Sequence, residues 1–144
     1  MKRRTDLKPQ DILKTRIKKG RMFLGPPYAG CFGGMMPCIL HSRRSGLYLV
    51  GLEMFVTELA PRLWYWEGKR IYFMDETARK RRDRRRAVWV FKTAKPAKKR
   101  FLAMCEEVEE YNRRAREKAR EAMKKLESDD PSVRIEGALA LNDL

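Results

Sequence analysis

The apolar positions of this chain keep a helical period over one long stretch. They recur at Phe101, Met104, Cys105, Val108, Tyr111, Ala115, Ala119, Ala122, Met123 and Leu126. That spacing marks one face of a 3.6-residue repeat and predicts a helix over 96–127, about eight turns long. Glu109 with Arg113, Glu110 with Arg114 and Glu121 with Lys125 stand four residues apart and support it from the solvent side. The stripe is bulky at first (Phe101, Val108, Tyr111) and thins to alanine. The first half is therefore expected to pack on a sheet, and the second to project or to meet another helix closely. Ser128-Asp129-Asp130-Pro131 stops the chain and restarts it, with an aspartate as cap and Pro131 in the first turn. Residues 128–144 then read as a short apolar helix weakened by Gly137. It is either a lid on the core or a docking face for a partner, carried by Val133, Ile135, Leu139 and Leu141.

Residues 21–92 follow a different rule. Met22-Phe23-Leu24, Pro37 to His41, Leu47 to Leu59 (with Gly51 as a bulge), Lys69 to Met74 and Ala87 to Lys92 are short or continuous apolar runs bounded by turn chemistry. Glu67-Gly68 reads as the tight turn after Trp64-Tyr65-Trp66. Four to five strands with short links predict an antiparallel meander. Residues 1–20 open with Lys2-Arg3-Arg4 and continue as a basic amphipathic helix, with Pro9 and Asp11 at its start and Gly20 after its end. The expected fold is α+β: a small antiparallel sheet, a long helix packed across it and short helices at both termini. Residues 1–127 form a single basic domain and 128–144 the terminal helix.

Charge changes this picture. The 144 residues carry a formal net charge of +15, and 37% of them are charged. A balance this basic points to nucleic acid, an anionic membrane or an acidic protein surface. The apolar fraction of 43% argues against a disordered chain. No run of 18 apolar residues spans a bilayer, and no apolar segment follows Met1-Lys2-Arg3-Arg4 to make a signal peptide. Three cysteines cannot all pair within one chain, which favours a reducing cytoplasm. Side-chain amides are confined to Gln10, Asn112 and Asn142, beside many Arg, Lys and Glu, a thermophile-like composition.

The charge is densest at Arg79-Lys80-Arg81-Arg82-Asp83-Arg84-Arg85-Arg86, between two strand-like stretches. Guanidinium forks match phosphate geometry and stay charged at any working pH. Arg79, Lys80, Arg81, Arg82, Arg84, Arg85 and Arg86, with Arg16, Lys18 and Lys19 of the N-terminal segment, are the candidate contacts to nucleic acid or an acidic partner. The competing reading pairs these arginines with Glu106, Glu107, Glu109 and Glu110. Trp64, Tyr65, Trp66, Tyr72, Phe73, Trp89 and Phe91 could stack exposed bases, but alternation puts Trp64 and Trp66 on one face and Tyr65 on the other, so both sheet faces would be aromatic and at least one is core.

Catalytic constellations are weak. Cys31, Cys38 and His41 have the spacing C-x6-C-x2-H, wider than the usual zinc pair, with Cys105 far off. The loop Gly25 to Gly34 lacks the Lys-Ser/Thr of a phosphate cradle, and Pro26 and Pro27 remove backbone donors. It is expected to fold over another element. Glu67-Gly68-Lys69 has the acid-x-Lys form of metal-dependent nucleases, with only Glu53 and Glu58 upstream to hold a metal. His41 is the only histidine and has no nucleophile placed with it.

The pattern thus predicts a non-enzymatic basic regulator or adaptor with no cofactor or metal. It would dock on nucleic-acid machinery, such as an RNA polymerase (transcription) or ribosome complex, through protein and phosphate contacts. Small basic proteins of this type are common among phage-encoded modulators of host enzymes. Direct binding of RNA or DNA is the alternative, and a small metal-dependent nuclease the third reading. No membrane partner is expected, and the pattern fixes no oligomeric state.

Overall fold

A computed structural model of the chain describes residues 2–4, 8–30, 35–63, 70–73 and 75–143. Among the described residues six strands form one sheet: β1 (Lys2–Arg4), β2 (Arg21–Leu24), β3 (Pro37–His41), β4 (Tyr48–Leu52), β5 (Arg70–Phe73) and β6 (Ala87–Phe91). The helices are α1 (Glu53–Leu59), α2 (Glu76–Arg81), α3 (Ala94–Leu126) and α4 (Pro131–Asn142), with 3-10 turns at Pro9–Lys14, Ala60–Arg62 and Arg84–Arg86. The fold is α+β: five antiparallel strands, β2 to β6, extended by a parallel β1, with the long α3 packed against the sheet and short helices at both ends.

Strand order is β1-β2-β3-β4-β6-β5. β2, β3 and β4 make the expected meander, but the last two antiparallel strands exchange places: β6 enters beside β4 and leaves β5 outside it. β1 adds a parallel strand beside β2. Both faces are covered. Ile39, Val50, Leu52, Trp89 and Phe91 meet Ala97, Phe101, Met104 and Cys105 of α3 and Ile12 of the N-terminal turn. Leu40, Leu49, Val88 and Val90 face the other way, onto Val56 of α1, Ala60 and Leu63. The alternation along β6 explains how all five of its residues are buried.

Three local expectations are corrected. Leu47 to Leu59 is not one long strand: it is extended only to Leu52 and then becomes α1. Leu52, Val56 and Ala60 are buried at i, i+4 and i+8, a helical stripe hidden within an apolar run. Gly51 is not a bulge. It stays in register with Cys38, and a Cβ there would lie 2.9 Å from the Ala87 carbonyl oxygen, so glycine lets β6 approach. The N-terminal helix is present but short, a 3-10 helix over Pro9–Lys14 with Pro9 and Asp11 in its first turn, and Gly20, at φ +81°, turns the chain into β2 instead of closing that helix. Its N–H donates to the His41 carbonyl at 2.7 Å.

The thinning stripe on α3 has its predicted consequence. Beyond Val108 the buried residue of α3 is Ala122, and α4 folds back against that half. A Cβ on Gly137 would stand 2.6 Å from the Ala122 carbonyl oxygen and 2.9 Å from Lys125 Cβ. Gly137 is therefore the point of closest helix contact, not a mere weak point. Lys125 reaches across to Glu136 at 3.7 Å rather than back to Glu121. Arg113 pairs with Glu110 and Glu117 rather than Glu109, while Glu110 also takes Arg114 as expected.

The glycine–proline loop folds over α3. Asn112 accepts from Ala29 N at 2.6 Å and donates to the Pro27 carbonyl at 3.0 Å, and Tyr28 meets Tyr111 edge-on at 5.1 Å. Burial, then Glu109 and Glu106, pushes the Cys105 thiol beneath the loop up to about 12, so it stays protonated and unreactive.

Candidate anionic-partner interface

The basic run folds as a capped helix, a sharp turn and a 3-10 turn. Asp75 caps α2 by accepting from Ala78 N at 2.5 Å and also pairs with Arg86. The Ala78 contact, helped by Arg86 against some desolvation, pulls the Asp75 carboxyl below its ordinary range. Asp83 caps the following turn, accepting from Arg85 N at 3.1 Å. Between them Arg82 sits at φ 51°, left-handed, with its N–H on the carbonyls of Ala78 and Arg79. Glycine is the usual residue for this geometry, and an arginine held there is a feature of the site.

The acids of the segment are its own. Arg79 lies 3.8 Å from Glu76, Arg85 3.6 Å from Asp83, and Arg86 pairs with Asp75 and Asp83. The pairing with Glu106, Glu107, Glu109 and Glu110 does not form: Glu110 binds Arg113 and Arg114, and Glu107 faces Arg100 at 3.8 Å. Among the described residues, Lys80, Arg81, Arg82 and Arg84 have no carboxylate partner within 4.0 Å.

Arg79, Arg82 and Arg84 wall a cavity of about 530 Å³ floored by Ile71, Phe73, Ala87 and Trp89 and closed by Arg100 of α3. A second cavity of about 590 Å³ shares Ile71, Trp89 and Arg100 and continues along Phe91, Pro96, Lys99 and Ala103. Together they make one groove between edge strand β5 and α3. It exists because β5 lies outside β6, beyond the cover of the helix, and Ile71 is left 52% exposed. The Arg100 guanidinium lies 3.9 Å over the Trp89 ring, and its buried Nε has no hydrogen-bond partner. Burial lowers its pKa, with Glu107 opposing and Arg84 reinforcing the shift.

Arg16, Lys18 and Lys19 are elsewhere. They line the opposite end of the sheet with Arg43 and Arg44 of the β3–β4 turn. The register places Tyr48 against Phe91 at that end, whereas Ala87 and Phe73 meet at the arginine end, roughly 13 Å along the strand. The sequence-predicted cations thus form two separate patches. In the second, Arg43 Nε donates to Lys19 O at 3.3 Å and Arg44 to Pro61 O at 2.9 Å, so part of its charge ties segments together.

The apolar candidates on α4 also divide. Val133 and Leu141, four residues to either side of Gly137, are half-buried on its side of the helix. Ile135 and Leu139, two residues to either side of Gly137, point away from α3 and are 61% and 59% exposed.

Cys38 and Cys105 belong to opposite sheet faces, and no group of three metal-ligating side chains occurs among the described residues. His41 stacks on Tyr48 at 4.1 Å, with Nδ1 3.0 Å from Ile17 O. Cys31, Trp64, Tyr65, Trp66 and the Glu67-Gly68-Lys69 tripeptide lie outside the described residues. No described helix is long and apolar enough to cross a membrane.

Sequence reasoning missed Arg100 and Ile71. The signal was present: Pro96, Arg100, Ala103 and Glu107 recur at i, i+4, i+7 and i+11, a second flank of α3 beside the apolar stripe. Comparison with protein-family models, with curated proteins and with solved structures finds no match.

Proposed function

We propose that this protein is a non-enzymatic adaptor or regulator that engages nucleic-acid machinery, such as a transcription or ribosome complex, through two surfaces. The arginine end of the sheet contacts phosphate, and the α3–α4 hairpin contacts protein through Ile135 and Leu139. One observation carries this reading. Asp75 ahead of the basic run and Asp83 within it cap backbone, and Lys80, Arg81, Arg82 and Arg84 project without a carboxylate partner among the described residues. A cluster held open in this way repels itself until an anion arrives.

Binding to fluorescent single- and double-stranded nucleic acid across a salt series tests the phosphate surface. Affinity should fall as salt rises, by about 0.9 log units per log unit of salt for each phosphate contacted on duplex DNA. Replacing Arg82, Arg84, Arg85 and Arg86 by Ala should weaken binding and flatten the slope; a wild-type slope in that variant would refute this surface. Ile135→Glu with Leu139→Glu should abolish capture of a host polymerase or ribosome complex and leave binding to naked nucleic acid intact.

A further inference from the structure

The groove between β5 and α3 has more structure than phosphate contact needs. A surface that only neutralises phosphates requires cations at the right spacing. Here the cations rim an apolar floor. Ile71, on an edge strand, shows 52% of its surface, and Phe73 beside it is partly buried. The Arg100 guanidinium carbon sits 3.9 Å from the Trp89 ring centroid, and the group forms part of the wall. The lining residues include Arg79, Arg82, Arg84, Lys99 and Arg100, and no carboxylate lines either cavity among the described residues.

We infer that this groove is a binding site for single-stranded nucleic acid, with an unpaired base on Ile71, Phe73 and the Arg100 plane and the flanking phosphates on Arg79, Arg82 and Arg84. The inference rests on the phosphate-contact reading above and adds the base to it. Unpaired bases stack on arginine planes and apolar side chains, which a duplex cannot offer without opening. An acidic peptide would satisfy the arginines but has no flat ring for the floor. The cavities, about 530 and 590 Å³, share Ile71, Trp89 and Arg100, so the strand can continue along α3 past Lys99. The site reads no sequence edge that the structure shows, so the expected preference is for unpaired over paired strands.

The test uses the full-length protein and three labelled probes at one ionic strength: a 12-nucleotide oligothymidylate, an abasic oligomer with the same phosphates, and a polyglutamate peptide. The oligothymidylate should bind about tenfold or more tightly than the abasic strand, as stacking a base predicts. In Ile71→Ser and Arg100→Gln that preference should shrink toward one. Ile71 is exposed, and Arg100 gives up only its Trp89 ring contact and its 3.8 Å pair with the exposed Glu107, so both variants should keep the wild-type circular dichroism and a melting temperature within a few degrees. Equal affinity for the base-bearing and abasic strands would overturn the base site and leave the phosphate reading standing. A preference that persists in both folded variants would place the base elsewhere and equally overturn it. Binding of polyglutamate alone would sink both readings at once.

Discussion

The arginine end and the α3–α4 hairpin solve the same problem with opposite chemistry. At the arginine end, two short carboxylates, Asp75 and Asp83, take the backbone donors of α2 and the following turn. Arg79, Arg85 and Arg86 pair with neighbouring acids, while Lys80, Arg81, Arg82 and Arg84 have no carboxylate partner among the described residues. In the hairpin, Gly137 and Ala122 make the closest contact, and the large apolar residues Ile135 and Leu139 are left exposed. In each region small groups supply the structure and large groups face outward. Charge and hydrophobicity at the surface are thus separated from stability, and mutation can test that separation directly.

The largest effect should come from Arg82, Arg84, Arg85 and Arg86 changed together to Ala. Nucleic-acid affinity should drop by about a hundredfold or more at low salt, by the loss of several phosphate contacts, while thermal stability falls only slightly, by the small worth of the exposed Arg85 and Arg86 pairs. If the melting temperature collapses instead, the arginines hold the fold and the comparison fails on that side. Next is Gly137→Val, which forces a side chain against Ala122 and Lys125. It should cost about 2 kcal/mol, as overpacking does, seen as a lower denaturation midpoint with nucleic-acid binding unchanged.

Arg82→Gly sharpens the contrast within a single residue. Glycine accepts the left-handed geometry, so stability should rise by up to about 1 kcal/mol, while affinity for nucleic acid falls. A variant less stable than wild type would show that the Arg82 side chain, not its backbone, supports the turn. Smaller still is the effect of Ile135→Glu with Leu139→Glu, whose melting temperature should match wild type, since both side chains face solvent.

Acid gives the mildest probe. Asp75 and Glu110 both have carboxyl pKa values lowered by their partners, Glu110 to about 2 through Arg113 and Arg114. A depressed folded value means stability that is present above the ordinary carboxylate range and lost as pH falls through the folded value. Amide exchange, taken relative to its intrinsic rate at each pH, should therefore quicken first in α2 and in the middle of α3 as pH drops from about 4.5 toward 2. Quickening confined to other elements would remove these two carboxylates as supports.

Much of this was legible because periodicity reports burial. The α3 stripe, the alternation along β6 and the Asp130-Pro131 start of α4 each place side chains against a core by local rules. What stayed hidden depended on contacts distant in sequence. α1 was hidden because buried helix and buried strand both read as continuous apolar residues, and Leu52, Val56 and Ala60 carry the helical spacing only faintly. The groove was hidden because it follows from strand order: if β5 had paired with β4, Ile71 would lie inside the sheet rather than at its margin. Arg100 looked like one more solvated cation of a basic helix, and only the position of Trp89, 3.9 Å away, seats it against the sheet. Asn112 carried a better clue than it was given, an amide set among charged residues, which clamps the loop at Pro27 and Ala29.

The exchange of the last two strands also sets an order of events for the growing chain. β2, β3 and β4 can pair as soon as each emerges, since each meets its predecessor. β5 cannot; its hydrogen-bonding neighbour is β6, which is synthesised later and must first seat beside β4. The β4–β6 pairing closes a long stretch of chain, the kind of non-local step that slows folding. Until it closes, β5 is a strand without a template, and the edge of β4 is open to any other extended segment. Substitutions in β6 that weaken its seating should therefore slow refolding and raise aggregation during synthesis before they measurably change the finished protein.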